Sequence, residues 1–282
     1  MNDTILVTGG TGKTGGRLIR RLVEQGWPVR SASRSGKAQG RVEGVRFDWY
    51  DARGHAAALA GVQRVYLVAP VGSNNPIEVM QPFIELAIAQ GVRRLVLLSS
   101  SAIEEGGPAM GVVHALLHRI APEWAVLRPS WFMENFVESH LATIRDESAI
   151  YSATDDGLVP FIAADDIAEV AFRSLTNNEA GDNGLVITGP KALSYGEAAE
   201  IIGTARGRTV RHVRLSGDEL TARFESFGIA HDYAAMLVGL DRAIAVGAEA
   251  RTTSVVAQLT GREPLSLEDF AARNADAWRS KA

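Results

Sequence analysis

The sequence predicts an α/β fold, with a doubly wound parallel sheet followed by a smaller, mostly helical C-terminal lobe. Three observations favour this fold. Short apolar runs alternate with longer stretches of helical periodicity up to about residue 190 of the 282, which is typical of strands joined by crossover helices. Several glycines directly follow the first apolar run, residues 4–8. From Ser194 onward the spacing of apolar residues becomes mostly helical. We therefore predict a sheet domain over residues 1–190 and a lobe over residues 191–282.

The predicted strands are short, mostly apolar runs, as strands buried on both faces are. They span residues 4–8, 29–33, 44–48, 64–69, 94–99, 124–127 and 185–188. Apolar residues at helical spacing predict helices over residues 16–25, 77–90 and 111–119, and another from Phe132. In the lobe, a serine followed three positions later by an acid predicts helix starts at Ser194, Ser216 and Ser266, with a short strand over residues 210–213.

Composition excludes several classes of protein. The net charge of −4 does not indicate a nucleic-acid-binding protein, because such domains usually carry a basic surface patch. We expect no membrane span and no signal peptide, and hence a cytoplasmic protein, because no apolar run is long enough for a span. The chain has no cysteine, which excludes disulfides and thiolate chemistry. Asp165 and Asp166 resemble a pair of metal ligands, but we predict that they cap a helix from Ile167 and therefore predict no metal site.

A glycine-rich turn directly follows the first strand. Residues 8–15 read Thr-Gly-Gly-Thr-Gly-Lys-Thr-Gly, with glycine at every third position from Gly9 to Gly15. In a strand–turn–helix unit the first glycine permits the tight turn, the second admits a pyrophosphate at the helix N-terminus, and the third lets helix and strand pack closely. A plain turn is the alternative, but the context favours a Rossmann-type dinucleotide site. Its predicted contacts are Gly9, Thr11, Gly12, Lys13, Thr14 and Gly15.

The end of the second predicted strand indicates which dinucleotide binds. Sites specific for NAD usually place a carboxylate there, whereas residues 31–35 read Ser-Ala-Ser-Arg-Ser. The guanidinium of Arg34 suits a 2′-phosphate, with Ser33 beside it, so we predict NADP(H) as the cofactor. The alternative for Arg34 is a solvated loop residue.

Two further segments are candidates for cofactor contacts. Asp48 ends the third strand, where it is placed either to accept a hydrogen bond from the adenine amino group or to cap the next segment. Ala69 and Pro70 end the fourth strand, where small residues let the cofactor pass closely.

These features together resemble the NmrA-like, atypical branch of the short-chain dehydrogenase/reductase superfamily. The glycine turn, Arg34, residues 97–100 (Leu-Leu-Ser-Ser) and residues 127–129 (Leu-Arg-Pro) carry the resemblance, which spans nearly the whole chain. The glycine turn and the segment that follows the sixth strand look most similar to the ergot-alkaloid-biosynthesis subgroup, whose festuclavine dehydrogenase reduces an iminium. The resemblance implies a substrate bound over the nicotinamide, between the sheet domain and the lobe. It also implies backbone contacts from Pro129 and Ser130 to the nicotinamide amide.

The usual catalytic pattern of short-chain reductases is absent. In that pattern, Tyr-x-x-x-Lys, the lysine lowers the pKa of the tyrosine that protonates a carbonyl oxygen. None of the five tyrosines has lysine four residues on, and residues 38–190 contain no lysine. Either the substrate is already an activated electrophile, such as an iminium or a quinone, or the chain binds the cofactor without chemistry.

Three polar residues are candidates for a catalytic role. Ser99 and Ser100 follow the fifth strand, and Ser99 is also a candidate for cofactor contact. The alternative for both serines is that they are small residues that admit the cofactor. His114 lies in the region where related proteins carry an active-site lysine or tyrosine, so it is a candidate proton donor. Its alternative is a polar residue on an amphipathic helix.

Aromatic residues after the sixth strand predict a substrate pocket. Ligands bind at the carboxyl ends of parallel strands, and rings there suit a flat or cyclic molecule. The candidates after the sixth strand, part of a predicted cleft over residues 130–165, are Trp131, Phe132, Asn135 and Phe136. Core packing is the alternative for at least two of the residues in this segment. Late aromatic residues and residues 236–237 in the lobe are further candidates.

The sequence thus predicts an NADPH-dependent reductase that transfers hydride to a small activated electrophile, with a cyclic imine or iminium first and a quinone second. The alternative is a non-catalytic NADP(H) sensor of the NmrA type that binds a partner protein. The sequence does not decide between a monomer and a homodimer.

Overall fold

The computed structural model describes residues 3–38, 40, 42–70, 72–73, 75–178, 181 and 183–279. The chain divides into two compact units. Unit 1 comprises Met1–Pro129, Ala164–Ile187 and Val255–Gly261, and unit 2 comprises Ser130–Ala163, Thr188–Ser254 and Arg262–Ala282. The two units are therefore interleaved along the sequence, whereas the sequence analysis placed one boundary at residue 190.

Strands and helices are numbered in chain order. The strands are β1 (Thr4–Thr8), β2 (Val29–Ser33), β3 (Glu43–Arg46), β4 (Val62–Leu67), β5 (Arg94–Leu98), β6 (Glu123–Pro129), β7 (Ala149–Ser152), β8 (Leu158–Val159), β9 (Asn183–Ile187), β10 (Leu193–Ser194) and β11 (Arg211–Arg214). The helices are α1 (Lys13–Glu24), α2 (His55–Leu59), α3 (Ile77–Ala89), α4 (Met110–Ile120), α5 (Ala164–Thr176), α6 (Tyr195–Arg206), α7 (Gly217–Ser226), α8 (His231–Ala245), α9 (Val255–Thr260) and α10 (Leu267–Asn274). None of the helices in the described ranges is both long and apolar enough to cross a bilayer.

Unit 1 is built on one parallel sheet. Its strand order is β3-β2-β1-β4-β5-β6-β9, and every neighbouring pair is parallel. The order reverses beside β1, whose neighbours are β2 and β4, and such a switch point leaves a crevice at the carboxyl ends of the strands. The predicted doubly wound, Rossmann-type fold is confirmed.

Both faces of this sheet are buried. Leu6 and Val65 belong to a core that also contains residues of α2, α3 and α4. Their neighbours Ile5 and Tyr66 are fully buried as well, and they point to the opposite face because side chains alternate along a strand. Burial on both faces explains why the central strands β1 and β5 read as continuous apolar runs.

The start of α5 differs from the prediction. This helix begins at Ala164, so Asp165 and Asp166 lie in its first turn, and the prediction that they cap a helix from Ile167 is wrong. Carboxylates are favourable in a first turn because the N-terminal end of a helix is positive. Asp165 also pairs with Arg17 of α1 at 3.1 Å, which ties the two helices together.

Unit 2 combines short strands with most of the lobe helices. β7 pairs with β11 in parallel, and β8 pairs with β10 in antiparallel. The sequence analysis predicted a strand near β11 but missed β7 and β8, which have no clear apolar pattern. The three predicted serine caps are confirmed, because the serine Oγ accepts a backbone N–H three residues on at the starts of α6, α7 and α10.

The helix predicted from Phe132 is wrong. This segment forms a short 3-10 turn, Met133–Val137, and a short π-helical segment follows at Thr143–Glu147. The chain before the turn is extended because it pairs with a neighbouring segment: the N–H of Ile162 donates to the carbonyl of Trp131, and the N–H of Met133 donates to the carbonyl of Ile162, both at 2.9 Å.

Candidate functional site

The glycine-rich turn of unit 1 joins β1 to α1 at the switch point of the sheet. Gly9 has a φ of 63°, a left-handed conformation that favours glycine. The N–H of Gly12 donates to the carbonyl of Gly9 at 2.9 Å and closes the turn. A Cβ on Gly15 would overlap the carbonyl oxygen of Gly9, so α1 starts as close to the turn as backbone permits. Gly12 is the cap residue of α1 and has no side chain to cover the first-turn amides.

The side chains of the turn have different roles. Thr11 is exposed and Lys13 is half-buried, whereas Thr14 is buried. The Thr14 Oγ accepts a hydrogen bond from the Tyr66 hydroxyl at 3.1 Å, which fixes α1 to β4. Burial raises the pKa of Tyr66, so this hydroxyl stays protonated and continues to donate. The side chain of Thr14 therefore has a structural role in holding the turn against β4. If Thr14 contacts the cofactor as the sequence predicts, the contact is made by its backbone N–H.

Arg34 directly follows β2. It is exposed, and it forms no hydrogen bond or ion pair with any residue that the structure describes. The neighbouring Ser33 is occupied locally, since its Oγ accepts the N–H of Gly36 at 3.2 Å and lies 3.3 Å from the Oγ of Ser35. A guanidinium with no internal partner beside a glycine turn fits the phosphates of a dinucleotide.

The other predicted cofactor contacts lie at the same edge of the sheet. The Asp48 carboxylate accepts the N–H of Tyr50 at 3.0 Å, which is the capping role that the sequence left open. Ala69 and Pro70 are half-buried after β4. A Cβ on Gly9 would lie 3.1 Å from the Cβ of Val68, so the glycine turn and the residues after β4 are adjacent.

The residues after β5 and β6 lie side by side. The N–H of Ser99 donates to the carbonyl of Leu127 at 2.7 Å, and the N–H of Ser101 donates to the carbonyl of Pro129 at 2.9 Å. The Ser100 Oγ accepts the N–H of Ala102 at 3.4 Å. Ser99 and Pro129 are thus brought together at the carboxyl edge, whereas the Ser100 hydroxyl is used in its own turn.

His114 lies inside unit 1. Its ring is 3% exposed and contacts Trp124 with centroids 5.5 Å apart. Neither ring nitrogen has a hydrogen-bond partner among the described residues, and the nearest acidic oxygen, Oε2 of Glu105, lies 3.8 Å from Nε2. Burial lowers the pKa of His114, so the ring is neutral near neutral pH. A Cβ on Gly184 would lie 2.9 Å from its Cε1, so the ring fills the space above a residue without a side chain. The catalytic role of His114 stays a prediction.

Unit 2 contains a cavity of about 610 Å³. This volume is typical of pockets for small organic ligands, for which about 300–1,000 Å³ is common. Six of its side chains carry phenyl, phenol or indole rings, and seven others are polar or charged. The rings belong to Trp131, Tyr151, Tyr195, Phe224, Phe227 and Tyr233, and the seven others are Asn135, Ser139, His140, Thr143, Ser152, Arg223 and Asp241.

The four predicted substrate contacts divide evenly. Trp131 and Asn135 line the cavity, whereas Phe132 and Phe136 are not among the lining residues. Phe136 is 1% exposed and packs against Phe161 with centroids 5.0 Å apart, so it belongs to the core of unit 2. Core packing, the alternative that the sequence left open for at least two residues of this segment, is what the structure shows for Phe136, whereas Phe132 is half-buried.

The sequence analysis missed most of the cavity. Of residues 236–237 only Leu237 lines it, together with the late aromatics Phe224, Phe227 and Tyr233. Tyr151, Tyr195 and Asp241 were not identified, because no motif marks them and they come from distant parts of the chain. The one available signal was helical spacing: Tyr233, Leu237 and Asp241 recur every fourth residue and therefore lie on one face of α8.

The ionisable groups of the cavity have shifted pKa values. Burial raises the pKa of Asp241 to about 6 and lowers the pKa of His140 to about 4. Burial also raises the pKa of Tyr195. The guanidinium of Arg223 lies 3.7 Å from the ring centre of Tyr151 and pairs with Glu147 at 3.2 Å. Near neutral pH the cavity therefore presents an ionised carboxylate, a neutral histidine and an arginine whose charge is already offset. The described residues hold no cluster of three or more histidine, cysteine or acidic side chains that could bind a metal ion.

Comparison with known proteins extends these observations. A family model described as NAD(P)H-binding matches residues 9–178. An uncharacterized oxidoreductase, YesF, of Bacillus subtilis (strain 168) is 46% identical over 279 residues, which cover 99% of this chain and 97% of that protein. Agroclavine dehydrogenase of Claviceps fusiformis is 42% identical over 289 residues, covering 98% of each chain. The structure of an NADPH-dependent quinone oxidoreductase, QOR2, from Escherichia coli in complex with NADPH is similar with a TM-score of 0.84 and 20% identity, covering 95% of this chain and 99% of that one.

Proposed function

We propose, from the premise that this chain belongs to the NAD(P)H-binding family and is an NAD(P)H-dependent oxidoreductase of the NmrA-like atypical short-chain type, that it reduces a cyclic imine or iminium. Its cofactor is NADP(H), which supplies the hydride when bound. The glycine turn and Arg34 hold the phosphates, and the aromatic cavity of unit 2 holds the substrate. The 42% identical relative is named a dehydrogenase of agroclavine, which supports a nitrogen heterocycle as substrate.

The observation that carries this proposal is that, among the described residues, no lysine lines the cavity to lower the pKa of a tyrosine as in the Tyr-x-x-x-Lys pattern. The hydroxyl of Tyr195 has a raised pKa, and the hydroxyl of Tyr151 is bonded to Glu147 at 2.7 Å. His140 is neutral, because burial holds its pKa at about 4. A ketone would need a proton during reduction, whereas hydride addition to an iminium gives a neutral amine without one. The cavity therefore has only to bind and orient such a substrate, which by itself contributes a large part of the acceleration.

The direct test follows NADPH oxidation with a panel of cyclic imines, N-alkyl iminium salts and quinones. We expect turnover with the imines and iminium salts, and less or none with the quinones. A control without an electrophile measures oxidation by oxygen alone. Tight NADPH binding with no turnover across the panel would contradict the proposal and support the non-catalytic sensor instead.

Arg34→Ala tests how the cofactor is selected. We expect the parent protein to bind NADPH at least about tenfold more tightly than NADH, because a guanidinium pairs well with a 2′-phosphate. The variant should lose most of this preference by weakening NADPH alone, as measured by fluorescence titration of both cofactors. Arg119→Ala is the matched control, since Arg119 is exposed near the end of α4, at the opposite edge of the sheet. Equal affinity of the parent protein for both cofactors would refute this role.

A further inference from the structure

We propose that Asp241 is a specificity-determining residue whose carboxylate serves as the counter-ion for a flat, positively charged nitrogen heterocycle. This inference rests on the proposed function, because it assigns the charge of the substrate that the cavity accepts. The helix α8 places Asp241 on the same face as Tyr233 and Leu237, and all three line the cavity. The carboxylate therefore lies in the wall of a ligand-sized space.

The internal bonds of Asp241 leave part of the carboxylate unused. Its Oδ2 accepts the N–H of Ala153 at 2.9 Å, which fixes the orientation of the group. Within the described ranges, no lysine, arginine or histidine forms an ion pair with Asp241. Asp241 is partly buried, and an ionised carboxylate withdrawn from water normally has a cationic partner, because leaving it without one is costly. A cationic ligand would supply that partner.

The other charges of the cavity do not satisfy Asp241. Arg223 also lines the cavity, but its guanidinium stacks on Tyr151 and pairs with Glu147. His140 is neutral for the reason given above. Because Glu147 offsets the charge of Arg223, the charge in the cavity wall that has no ionic partner at neutral pH is the carboxylate of Asp241.

The aromatic walls support the same ligand. The faces of aromatic rings attract cations, and this attraction increases when water is displaced. The carboxylate of Asp241 raises the pKa of Tyr195 in addition to the effect of burial. A flat cation that lies between ring faces and a carboxylate is stabilised by both the cation–π attraction and the ion pair. A neutral quinone of the same size is stabilised only by stacking.

The test compares two ligands of nearly the same shape and different charge. N-methylisoquinolinium is a permanent cation, and isoquinoline is neutral at about pH 8. Isothermal titration of the full-length protein measures binding of each without requiring turnover. We expect Asp241→Asn to weaken binding of the cation about tenfold or more and to change binding of isoquinoline and of NADPH by less than about twofold. Asparagine keeps the size of the side chain and the acceptor for the Ala153 N–H.

Asp232→Asn is the matched control, since it removes one negative charge from an exposed position in the first turn of α8. It should leave both ligands unaffected. Equal loss of cation and neutral ligand in Asp241→Asn, or no loss of either, would overturn the inference. Charge-selective binding without turnover of any imine would instead refute the proposed reaction and leave the role of Asp241 intact.

Discussion

Gly15→Val is expected to abolish measurable NADPH binding, with a loss of at least about a hundredfold in affinity. A Cβ at this position would overlap the carbonyl oxygen of Gly9 and lie 2.9 Å from the Gly9 carbonyl carbon and 3.1 Å from the Cα of Gly10. All three atoms are backbone, so no side chain can move aside. The turn would have to open, and the first amides of α1 would lose their place at the pyrophosphate. Fluorescence titration with NADPH measures the loss.

Gly16→Ala is the matched control for this experiment. Gly16 is the next residue of α1, and a Cβ there would lie 3.5 Å from its nearest neighbour, the carbonyl oxygen of Gly10, which is ordinary contact. Alanine is also a better helix former than glycine by about 0.8–1 kcal/mol, so the control should retain affinity and stability. Circular dichroism establishes whether Gly15→Val is folded, and Gly15→Ala provides a milder second variant. A folded Gly15 variant that binds NADPH as the parent does would exclude the turn as the cofactor site.

The sheet could be predicted because its information is local. β1 and β2 were predicted to the residue, and β1 is a short apolar run that ends at glycine, as a strand buried on both faces does. Arg34 could be proposed as a cofactor contact for the same reason, because its position is defined locally by the end of β2 and the loop that follows it. The interleaving of the two units could not be predicted. β9 lies late in the sequence yet pairs with β6, and such an edge pairing leaves no mark on the residues between them.

The cavity could not be predicted because it depends on contacts between distant segments. Tyr151, Tyr195 and Asp241 come from β7, α6 and α8, and none has a neighbour in sequence that signals its role. His114 illustrates the opposite case. Its position, where related proteins carry an active-site lysine or tyrosine, suggested chemistry. The structure places its ring above Gly184, and a glycine seventy residues away is not a local signal.

Asp241→Asn is also expected to stabilise the protein at alkaline pH. The pKa of Asp241 is about 6 in the folded state, compared with an ordinary value of 3.8. The folded protein therefore holds this proton more tightly than the unfolded chain does. Stability falls as the pH rises from about 4 to 6, and above pH 6 the full cost remains, up to about 3 kcal/mol for a shift of this size. Asparagine carries no charge and removes that cost, so urea unfolding at about pH 8 should show a variant more stable than the parent by about 1–3 kcal/mol.

The pH dependence separates this effect from a change in packing. The gain in the free energy of unfolding should shrink as the pH is lowered through 6 and be small near pH 4, where the parent carboxyl is protonated in the folded state. Asp232→Asn, on an exposed part of the same helix, should show no such trend. A variant less stable than the parent at about pH 8 would mean that Asp241 has an internal cationic partner after all. A more stable variant that no longer distinguishes the cation would show that the protein keeps a costly buried charge because its ligand requires it.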